Sequence, residues 1–345
     1  MNKVDFKQKL KKLGTVRRKS ISVSQEDLIR TSYLQSDDSL PLVVQPKVAA
    51  LNLATWSEHN RVLIENKLSK QGAILFRDFQ LKDVIQFQKF IQEISENILE
   101  YSYRSTPRSN VSDKIYTSTE YPAKHHILLH NEMSYSRKWP IKIAFYCIKK
   151  ANEGGETPIA DSRKVFARIN TKIKEKFMDK KVMYVRNYGA GLDLTWQNAF
   201  NTNDKSEVET YCHQAGIELE WRDKDNSDVD LRTRQVCQVI TKHPKTLETV
   251  WFNQAHLFHI SNIEPTVREQ LLANFQEEDL PRNVYYGDGS KIENSILEEI
   301  REIYQQESII FPWQEGDVLL LDNLLYAHGR RPFKGSRRVV VGMAN

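Results

Sequence analysis

The sequence predicts a mostly β fold with flanking helices, arranged as an antiparallel sandwich or barrel. In the middle of the chain, the stretches HHILLHNEMSY and IKIAFYCIKK alternate in the manner of half-buried strands. Late in the chain, VLLLDN and RVVVGM carry further strand patterns. Most of these strands come without the spacing of β-α-β units, so an antiparallel arrangement is favoured over a doubly wound parallel sheet.

Helical spacing of apolar residues indicates the outer layer. A helix is predicted from Trp56 to Lys70, closed by Gly72, and a second over 82–98, with the buried strand AILFRDF between them. Segment 184–202 is rich in glycine and aromatic residues and is predicted to be a lid that folds over the site. Later helices are predicted at 204–214, 264–277 and 294–306.

Composition indicates one large globular domain. Of 345 residues, 40% are apolar and 28% are charged, which provides a sizeable core and argues against global disorder. The net charge of +5 is too balanced to indicate a nucleic-acid partner. Residues 1–20 are the exception, with eight basic residues against one acid, Asp5. We predict a basic, solvated N-terminal arm over 1–45 and a single domain over 46–345.

The cysteines and the lack of a long apolar run favour a cytoplasmic location. Cys147, Cys212 and Cys237 are widely spaced and fit no disulfide or zinc pattern, so they are predicted to be buried thiols in a reducing compartment. No apolar run approaches the ~18 residues of a membrane span, and the basic N-terminus lacks the apolar region of a secretory signal. We therefore expect neither a membrane nor a nucleic acid as a partner. The sequence does not predict an oligomeric state.

A His and a Glu two residues apart interrupt the apolar run LLHNEMSYS. Alternate side chains of a strand share a face, so His130 and Glu132 are predicted to point the same way and Asn131 to point opposite. His328, which follows the strand VLLLDN, is the candidate for a third ligand. Two histidines and one carboxylate leave three positions of an octahedron open, as in non-haem Fe(II) oxygenases. Alone, this spacing is weak, since a buried His is commonly a hydrogen-bonded core residue.

Two arginines and a threonine add a candidate anion site. Arg337 and Arg338 lie nine and ten residues after His328 on the strand RRVVVGM, where neighbours alternate faces and one of the two can point into the site. An arginine fork matches a carboxylate with two hydrogen bonds. Thr157, in the turn EGGETP, can donate a hydrogen bond to the same carboxylate. Taken individually, the arginines fit a surface ion pair and Thr157 fits a hydroxyl that stabilises a turn. Together the three residues favour a binding site for a chelating cosubstrate with a distal carboxylate.

At this level the sequence resembles a known family, the taurine dioxygenase and clavaminate-synthase-like Fe(II)/2-oxoglutarate oxygenases. The resemblance covers roughly residues 40–345 and rests on AILFRDF, LLHNEMSYS, GGETPIADSR, WFNQAHLFH and DNLLYAHGRRPFKGSRRVVV. The stretches YRSTPR, RNYGAGLDLTWQ and LRTRQV are similar more narrowly to the branch that contains the syringomycin aspartyl hydroxylase. No one of these motifs is specific, but together they are.

The resemblance implies a fold and a set of site residues. The fold is a double-stranded β-helix, a distorted jelly roll with helices packed outside. His130, Glu132 and His328 would hold Fe(II). Arg338 would bind the distal carboxylate of the cosubstrate 2-oxoglutarate, and Thr157 would assist it. No catalytic side chain is expected beyond the iron ligands.

The resemblance further implies hydroxylation of an unactivated C–H bond of an amino acid in specialised-metabolite biosynthesis. The amino acid would be free or presented by a peptidyl carrier protein. Glu132 fills the coordination position that related halogenases leave to chloride, which favours hydroxylation over halogenation. In some members a second arginine lies four places after the equivalent of Arg338, but here Gly342 stands there, which disfavours a taurine-like sulfonate. Desaturation, epoxidation and a substrate other than an amino acid stay open.

Secondary predictions concern the surroundings of these ligands. Ser118 and Glu120 share strand parity with the first histidine ligand and are predicted to line the substrate pocket, where Glu120 would meet a substrate ammonium. His256 and His259, in NQAHLFH, are interpreted as pocket or packing residues. Asp322 is expected either to orient a ligand or to cap a turn.

Two other functions compete with an oxygenase. A catalytically silent jelly-roll binding protein would not need all three ligands, and all three are intact. A zinc hydrolase would be expected to carry a helical HExxH motif, which is absent, and has no use for an arginine ten residues past the last ligand. The sequence therefore disfavours both.

Overall fold

The computed structural model describes residues 25–34, 41–100, 103, 105, 108–118, 121–189, 193–224 and 228–345. The basic stretch 1–20 lies outside these ranges, and so does Glu120. Among the described residues, no helix has both the length and the apolar character needed to cross a membrane.

Nineteen strands build the sheets of the described part of the chain, which confirms the predicted mostly β architecture. In chain order they are β1 (Ile29–Tyr33), β2 (Leu42–Pro46), β3 (Ala73–Phe76), β4 (Asn110–Ser112), β5 (Ile115–Thr117), β6 (Ile127–His130), β7 (Lys142–Lys149), β8 (Glu153–Gly154), β9 (Ile159–Asp161), β10 (Val182–Tyr188), β11 (Glu218–Lys224), β12 (Asp228–Cys237), β13 (Ile240–Lys242), β14 (Thr249–Trp251), β15 (Arg282–Tyr286), β16 (Val318–Asp322), β17 (Tyr326–Arg330), β18 (Phe333–Lys334) and β19 (Arg338–Ala344).

Helices flank these strands. They are α1 (Leu53–Glu58), α2 (Arg61–Gln71), α3 (Val84–Ile94), α4 (Ser162–Arg168), α5 (Thr171–Lys180), α6 (Trp196–Phe200), α7 (Lys205–Ala215), α8 (Ala255–Phe258), α9 (Pro265–Asn274) and α10 (Asn294–Gln306), with short 3-10 turns at Gln25–Leu28, Ile260–Asn262 and Glu277–Asp279. The helices predicted over 82–98, 204–214, 264–277 and 294–306 correspond to α3, α7, α9 and α10.

The helix predicted from Trp56 to Lys70 is divided into α1 and α2 by a turn at residues 59–60. As predicted, Gly72 ends α2, and it does so in the left-handed conformation with φ of 76°. A β-carbon at this position would lie 2.6 Å from the ring of Tyr326. Both the backbone angle and the close approach therefore require glycine.

The largest sheet has eight strands in the order β1-β2-β3-β16-β7-β19-β5-β4. β16 pairs antiparallel with β3 and β7, β19 pairs antiparallel with β7 and β5, and β2 runs parallel to β3. The sheet begins inside the segment 1–45 that was predicted to be an arm. β1 is a short, mostly exposed edge strand, and such a strand gives little apolar periodicity for a sequence to reveal.

The two faces of this sheet pack into two separate apolar cores. On the outer face, α1, α2 and α3 cover side chains such as Tyr146 and Val340. On the inner face lie their sequence neighbours, Phe145 and Val341. The strand period of two sends neighbouring residues to opposite sides, so each strand contributes to both cores.

Smaller sheets pack on the inner face. β6, β17 and β9 form a three-stranded sheet in the order β6-β17-β9, and β18 pairs with β8. Leu129, Ala160 and Ala327 of the three-stranded sheet share the inner core. A four-stranded sheet in the order β11-β12-β10-β15 and the hairpin of β13 and β14 complete the strand arrangement of the described residues. The functional residues cluster on the three-stranded sheet.

The segment 184–202, predicted to be a lid, is not one continuous loop. Its first part belongs to β10, a central strand of the four-stranded sheet, and its last part forms α6. Residues 190–192 lie outside the described ranges. The segment thus connects a central strand to a short helix.

Candidate active site

Two histidines face each other across neighbouring strands. β6 pairs antiparallel with β17, and in this register His130 lies opposite His328. The centroids of the two imidazole rings are 4.6 Å apart. Directly opposed residues of a strand pair share a face, so the register brings together two side chains that are far apart in sequence.

Glu132 joins the histidines from a turn rather than from the strand. β6 ends at His130, and residues 132–135 form a turn in which Met133 has a left-handed φ of 57°. One ligand atom from each of the three predicted residues lies within 4.8 Å of the others. Glu132 Oε2 is 3.6 Å from His328 Nε2. The three side chains converge as predicted, but a turn and not strand parity causes it.

The candidate anion site, which stays a prediction, lies around Thr157. Arg337 Nη2 lies 3.5 Å from Thr157 Oγ1, and Arg337 Nε donates to the Gly155 carbonyl at 2.9 Å. Trp313 Nε1 donates to Thr157 Oγ1 at 3.2 Å. Burial lowers the pKa of Arg337 to about 10, which leaves the guanidinium cationic at neutral pH.

This anion site adjoins the histidine strand. β9 begins two residues after Thr157 and pairs with β17 so that Ile159 lies opposite His328. The ring of Phe145, on the inner face of the large sheet, has its centroid 5.0 Å from that of His328. Thr157, which contacts the cation Arg337, is therefore followed by a strand that pairs with the strand of His328.

In the structure Arg337, and not the predicted Arg338, lies at this candidate site. Arg338 is exposed, and its partner across β7 is Lys149. Val339 and Val341 face the inner core, and the residue two places before Val339 is Arg337. The pairing with β7 is also irregular between Arg338 and Val339. The valine run after the arginines is apolar on both faces, so the sequence alone did not distinguish the two.

Ser118 lies against the same arginine. Its Oγ accepts from Arg337 Nη1 at 3.2 Å, and its backbone N–H donates to the Val339 carbonyl at 3.0 Å. It therefore borders the anion site. The substrate-binding role predicted for Ser118 and Glu120 stays a prediction.

The chain matches the sequence profile of a known family. The taurine catabolism dioxygenase TauD, TfdA family aligns with residues 37–344. The chain belongs to this family. The resemblance seen in the sequence is thereby confirmed, and with it the prediction of an Fe(II)/2-oxoglutarate-dependent dioxygenase.

Individual relatives and solved structures agree. Dapdiamide synthesis protein DdaC of Enterobacter agglomerans is 43% identical over 280 residues, which are 81% of this chain and 84% of the relative. Clavaminate synthase-like protein At3g21360 of Arabidopsis thaliana is 28% identical over 320 residues, 88% and 93% of the two chains. The PvcB (PA2255) protein from Pseudomonas aeruginosa has the same fold, with a TM-score of 0.54 at 13% identity over 93% of both chains. A taurine dioxygenase from Burkholderia xenovorans gives a TM-score of 0.52 at 13% identity, over 92% of this chain and 90% of the other.

In this TauD/TfdA-family dioxygenase, asparagine side chains hold the turn that carries Glu132. Asn323 Oδ1 accepts from the Glu132 N–H at 2.7 Å, and Asn323 Nδ2 donates to the Glu132 carbonyl at 3.0 Å. Asn131 Nδ2 in turn donates to the Asn323 carbonyl at 2.7 Å. Fixing both peptide groups of Glu132 fixes the direction in which its side chain leaves the backbone.

Asp322 caps a turn, one of the two roles expected for it. Its Oδ1 accepts from the N–H groups of Leu324 and Leu325 at 3.0 and 3.2 Å. Its Oδ2 accepts from His243 Nε2 at 2.9 Å, and His243 Nδ1 accepts from the Thr246 N–H at 3.0 Å. These contacts shape the connection that leads into β17 and its histidine.

We call residues 129–135, which carry Glu132, the ligand loop. The motif NQAHLFH supports this loop through two hydrogen bonds. Gln254 Nε2 donates to the Asn131 carbonyl at 2.8 Å, and His256 Nε2 donates to the Leu129 carbonyl at 2.9 Å. The His256 ring stacks on Tyr304 with centroids 4.6 Å apart. Burial lowers the pKa of His256 to about 3, so its imidazole is neutral. His256 is a packing residue, as predicted.

The protonation states of His130 and Glu132 suit a metal cation. His130 Nδ1 donates to the Leu128 carbonyl at 2.8 Å, which leaves the lone pair of Nε2 for a metal. Burial and the neighbouring His328 lower the pKa of His130 to about 4, so this ring is neutral as well. Burial alone would raise the pKa of Glu132, but Arg108 and the two imidazoles outweigh it and hold that pKa well below its usual range.

Arg108 is the residue of this site that sequence reasoning missed. It lies in YRSTPR, a stretch that was informative only through its resemblance to the family. Its Nη2 reaches Glu132 Oε2 at 2.8 Å from 24 residues earlier in the chain. No spacing rule connects two residues at that separation, so nothing in the sequence pattern predicts the contact.

Proposed function

We propose that this dioxygenase hydroxylates an unactivated C–H bond of an amino acid, free or tethered to a peptidyl carrier protein, in specialised-metabolite biosynthesis. The convergence of His130, Glu132 and His328 within 4.8 Å is the observation that carries the proposal. The biosynthetic role is supported by the relative that is 43% identical and is named for dapdiamide synthesis.

The donor set fits Fe(II). Two imidazoles and one carboxylate suit a divalent first-row metal and leave three octahedral positions for other ligands. Two of the three donors are held by groups outside the set: the Leu128 carbonyl orients His130, and Asn323 fixes the peptide groups of Glu132. Such outer contacts set ring orientation and ligand basicity.

We assign the distal carboxylate of 2-oxoglutarate to Arg337. The guanidinium can donate two parallel hydrogen bonds to a carboxylate, and its stacking 5.7 Å from the Phe333 ring centroid restricts its plane. Thr157 Oγ1 accepts a hydrogen bond from Trp313 Nε1, so the hydroxyl proton of Thr157 points away from Trp313. This supports the predicted role of Thr157 as a donor to the distal carboxylate. Ser118 steadies the other end of the guanidinium.

Bound iron and 2-oxoglutarate supply the oxidation: dioxygen is consumed, 2-oxoglutarate becomes succinate and carbon dioxide, and one oxygen atom enters the substrate. The protein contributes the placement of the C–H bond and the exclusion of water. Glu132 as a third protein ligand supports hydroxylation over halogenation. Desaturation, epoxidation and the oxidation of a substrate other than an amino acid would require the same metal ligands. The identity of the product therefore distinguishes among these reactions.

We also propose that the sheets form a double-stranded β-helix. The large sheet and the three-stranded sheet share the inner core, and strands that are neighbours in space are distant in sequence, as where β16 lies between β3 and β7. The helices α1, α2 and α3 cover the outer face. These features support a distorted jelly roll with helices packed outside.

We propose that the part of segment 184–202 that follows β10 covers the substrate. Arg282 supports this, because its Nε donates to Asp193 Oδ2 at 2.9 Å and its Nη2 donates to the Ser105 carbonyl at 3.0 Å. Ser105 lies three residues before Arg108, which reaches the ligand carboxylate. The lid candidate is thus tied to a stretch of chain that borders the metal ligands.

The test is anaerobic reconstitution with Fe(II), followed by 2-oxoglutarate, dioxygen and two substrate panels, free amino acids and the same amino acids loaded on a carrier protein. We expect one panel to give succinate and a product that has gained one oxygen atom. A product that has lost two hydrogens would indicate desaturation instead. Stoichiometric iron without substrate-dependent succinate in either panel would contradict an amino-acid substrate, and a protein that binds no iron would contradict the ligand assignment.

A further inference from the structure

A buried ion pair joins the ligand carboxylate to an arginine outside the ligand motif. Arg108 Nη2 lies 2.8 Å from Glu132 Oε2, and the two side chains are 5% and 3% exposed. The same carboxylate oxygen lies 3.6 Å from His328 Nε2. The guanidinium therefore holds the oxygen of Glu132 that lies near His328.

This contact restrains a torsion that the backbone contacts leave loose. The last torsion of a Glu side chain is broad and roughly two-fold, so Asn323 does not determine how Glu132 presents its two oxygens. A charge-assisted hydrogen bond to one oxygen does. Carboxylates bind metals through one oxygen or through two, and a second oxygen would occupy one of the three open positions of the metal. A chelating cosubstrate and dioxygen together need all three.

We propose that Arg108 is a positioning residue of the metal site, which makes Glu132 a one-oxygen ligand and supplies its counter-charge in the metal-free protein. This inference rests on the proposed function, because it takes His130, Glu132 and His328 as the metal ligands. It adds a residue to that site and gives it a role that can be measured without turnover.

The counter-charge role has a thermodynamic consequence. A buried carboxylate is costly unless a cation compensates it. In the metal-free protein Arg108 is a cation in direct contact with Glu132, but a bound divalent metal neutralises the same carboxylate. Loss of the arginine therefore destabilises the metal-free protein more than the metal-loaded protein. A purely structural ion pair has no such dependence on metal.

Arg77 offers a matched control. Its Nε and Nη2 donate to Asp317 Oδ1 and Oδ2 at 2.9 and 2.7 Å, and the two side chains are 12% and 1% exposed. Neither residue belongs to the group of metal-ligand side chains found among the described residues. Arg77→Met thus removes a buried arginine–carboxylate pair without touching the metal site.

The experiment compares the parent protein with Arg108→Met, Arg108→Lys and Arg77→Met. Thermal unfolding is measured with and without saturating Co(II), and 2-oxoglutarate is titrated calorimetrically into the Co(II) proteins without dioxygen. We expect Arg108→Met to lower the Tm of the metal-free protein by about 5 °C and to recover most of this loss with Co(II). Its affinity for 2-oxoglutarate should fall about tenfold or more. Arg108→Lys keeps the positive charge, so the effect of Co(II) on its Tm should resemble that in the parent protein. It should also retain part of the affinity for 2-oxoglutarate.

Two results would overturn the inference. One is an equal Tm loss with and without Co(II) in Arg108→Met, which is the behaviour expected of Arg77→Met. The other is an unchanged affinity for 2-oxoglutarate. If Arg108→Met does not fold without metal, refolding with Co(II) is expected to give folded protein, and failure there would also overturn it. If the parent protein binds no Co(II), the proposed function and this inference are both overturned. If it does bind Co(II), the two results named above overturn this inference alone.

Discussion

The two faces of the large sheet differ in what they contribute, although the same strands build both. On the outer face, Phe90 of α3 packs on Phe76 with ring centroids 5.4 Å apart, in the same core as Tyr146. One residue earlier on β7, Phe145 faces the opposite way, and its ring lies 5.0 Å from that of His328. The strand period of two therefore separates the scaffold from the active site within a single strand.

Polar groups mark the inner side. Asn131, Asn323 and Gln254 are buried there and hydrogen-bonded to one another or to the ligand loop. Such networks are stabilising only when each member is satisfied, and they specify one geometry. Changes on the outer face should therefore act on stability, whereas changes on the inner side should act first on metal and cosubstrate binding.

The largest effect is expected on the inner side, from His328→Ala. Losing one of three ligands should weaken metal binding by more than about 100-fold, the upper end of losses caused by removing groups that only orient ligands. Turnover should fall below detection. Metal content after anaerobic reconstitution and succinate formation measure both, with an unchanged far-UV circular dichroism spectrum as the control. Succinate formation at the parent rate would contradict the ligand assignment.

The matching change on the outer face is Phe90→Ala. It should cost about 3–5 kcal/mol of unfolding free energy, because a fully buried aromatic side chain is replaced by a cavity. Turnover per folded molecule should stay at the parent value at a temperature where the variant is folded. Urea unfolding and succinate assays on the same preparation test this. Lost turnover at unchanged stability would mean that the two faces are not separable.

Neighbouring arginines sharpen the comparison to single residues. Arg337→Met should raise the KM for 2-oxoglutarate by about 10–100-fold, the range for lost hydrogen bonds to a charged group, with a smaller effect on kcat. Arg338→Met is the matched control, because Arg338 is the next residue along the chain and is exposed, and the KM of this variant should equal that of the parent. The reverse pattern would restore the role predicted for Arg338 from the sequence.

These arginines also show what the sequence contained. The convergence of His130, Glu132 and His328 was predictable, because each residue type is chemically distinctive and lies in a motif, and so was an arginine beside Thr157. The choice between the two arginines was not, because the valines that follow are apolar on both faces of β19. Alternation predicts orientation only where the two faces differ in polarity.

Other features depend on contacts between distant segments. Glu132 is placed by a turn whose left-handed residue is Met133, a conformation that the residue type does not indicate. Arg108 and Asn323 reach Glu132 from separate parts of the chain. Long-range partners of this kind follow from the completed fold, so local patterns do not reveal them.

The smallest effect at neutral pH is expected from His256→Gln, behind the ligand loop. Burial lowers the pKa of His256 from 6.5 to about 3. Between these values the unfolded chain binds a proton that the folded protein does not. The contribution of the neutral His256 to the unfolding free energy is therefore fully present above the pKa of the unfolded state. It is lost as the pH falls toward the pKa of the folded state, by about 1.4 kcal/mol per pH unit. Glutamine keeps a donor for the Leu129 carbonyl but does not titrate.

Urea unfolding across the acid range measures this difference. Between about pH 6 and about pH 4, the unfolding free energy of the parent should fall more steeply than that of the variant, so the advantage of the parent at neutral pH narrows as the solution is acidified. His130 also titrates with a lowered pKa, but it is present in both proteins and cancels in the comparison. Parallel pH dependences would show that His256 binds its proton equally in the folded and unfolded states. The assignment of a neutral His256 imidazole bound to the Leu129 carbonyl would then be wrong.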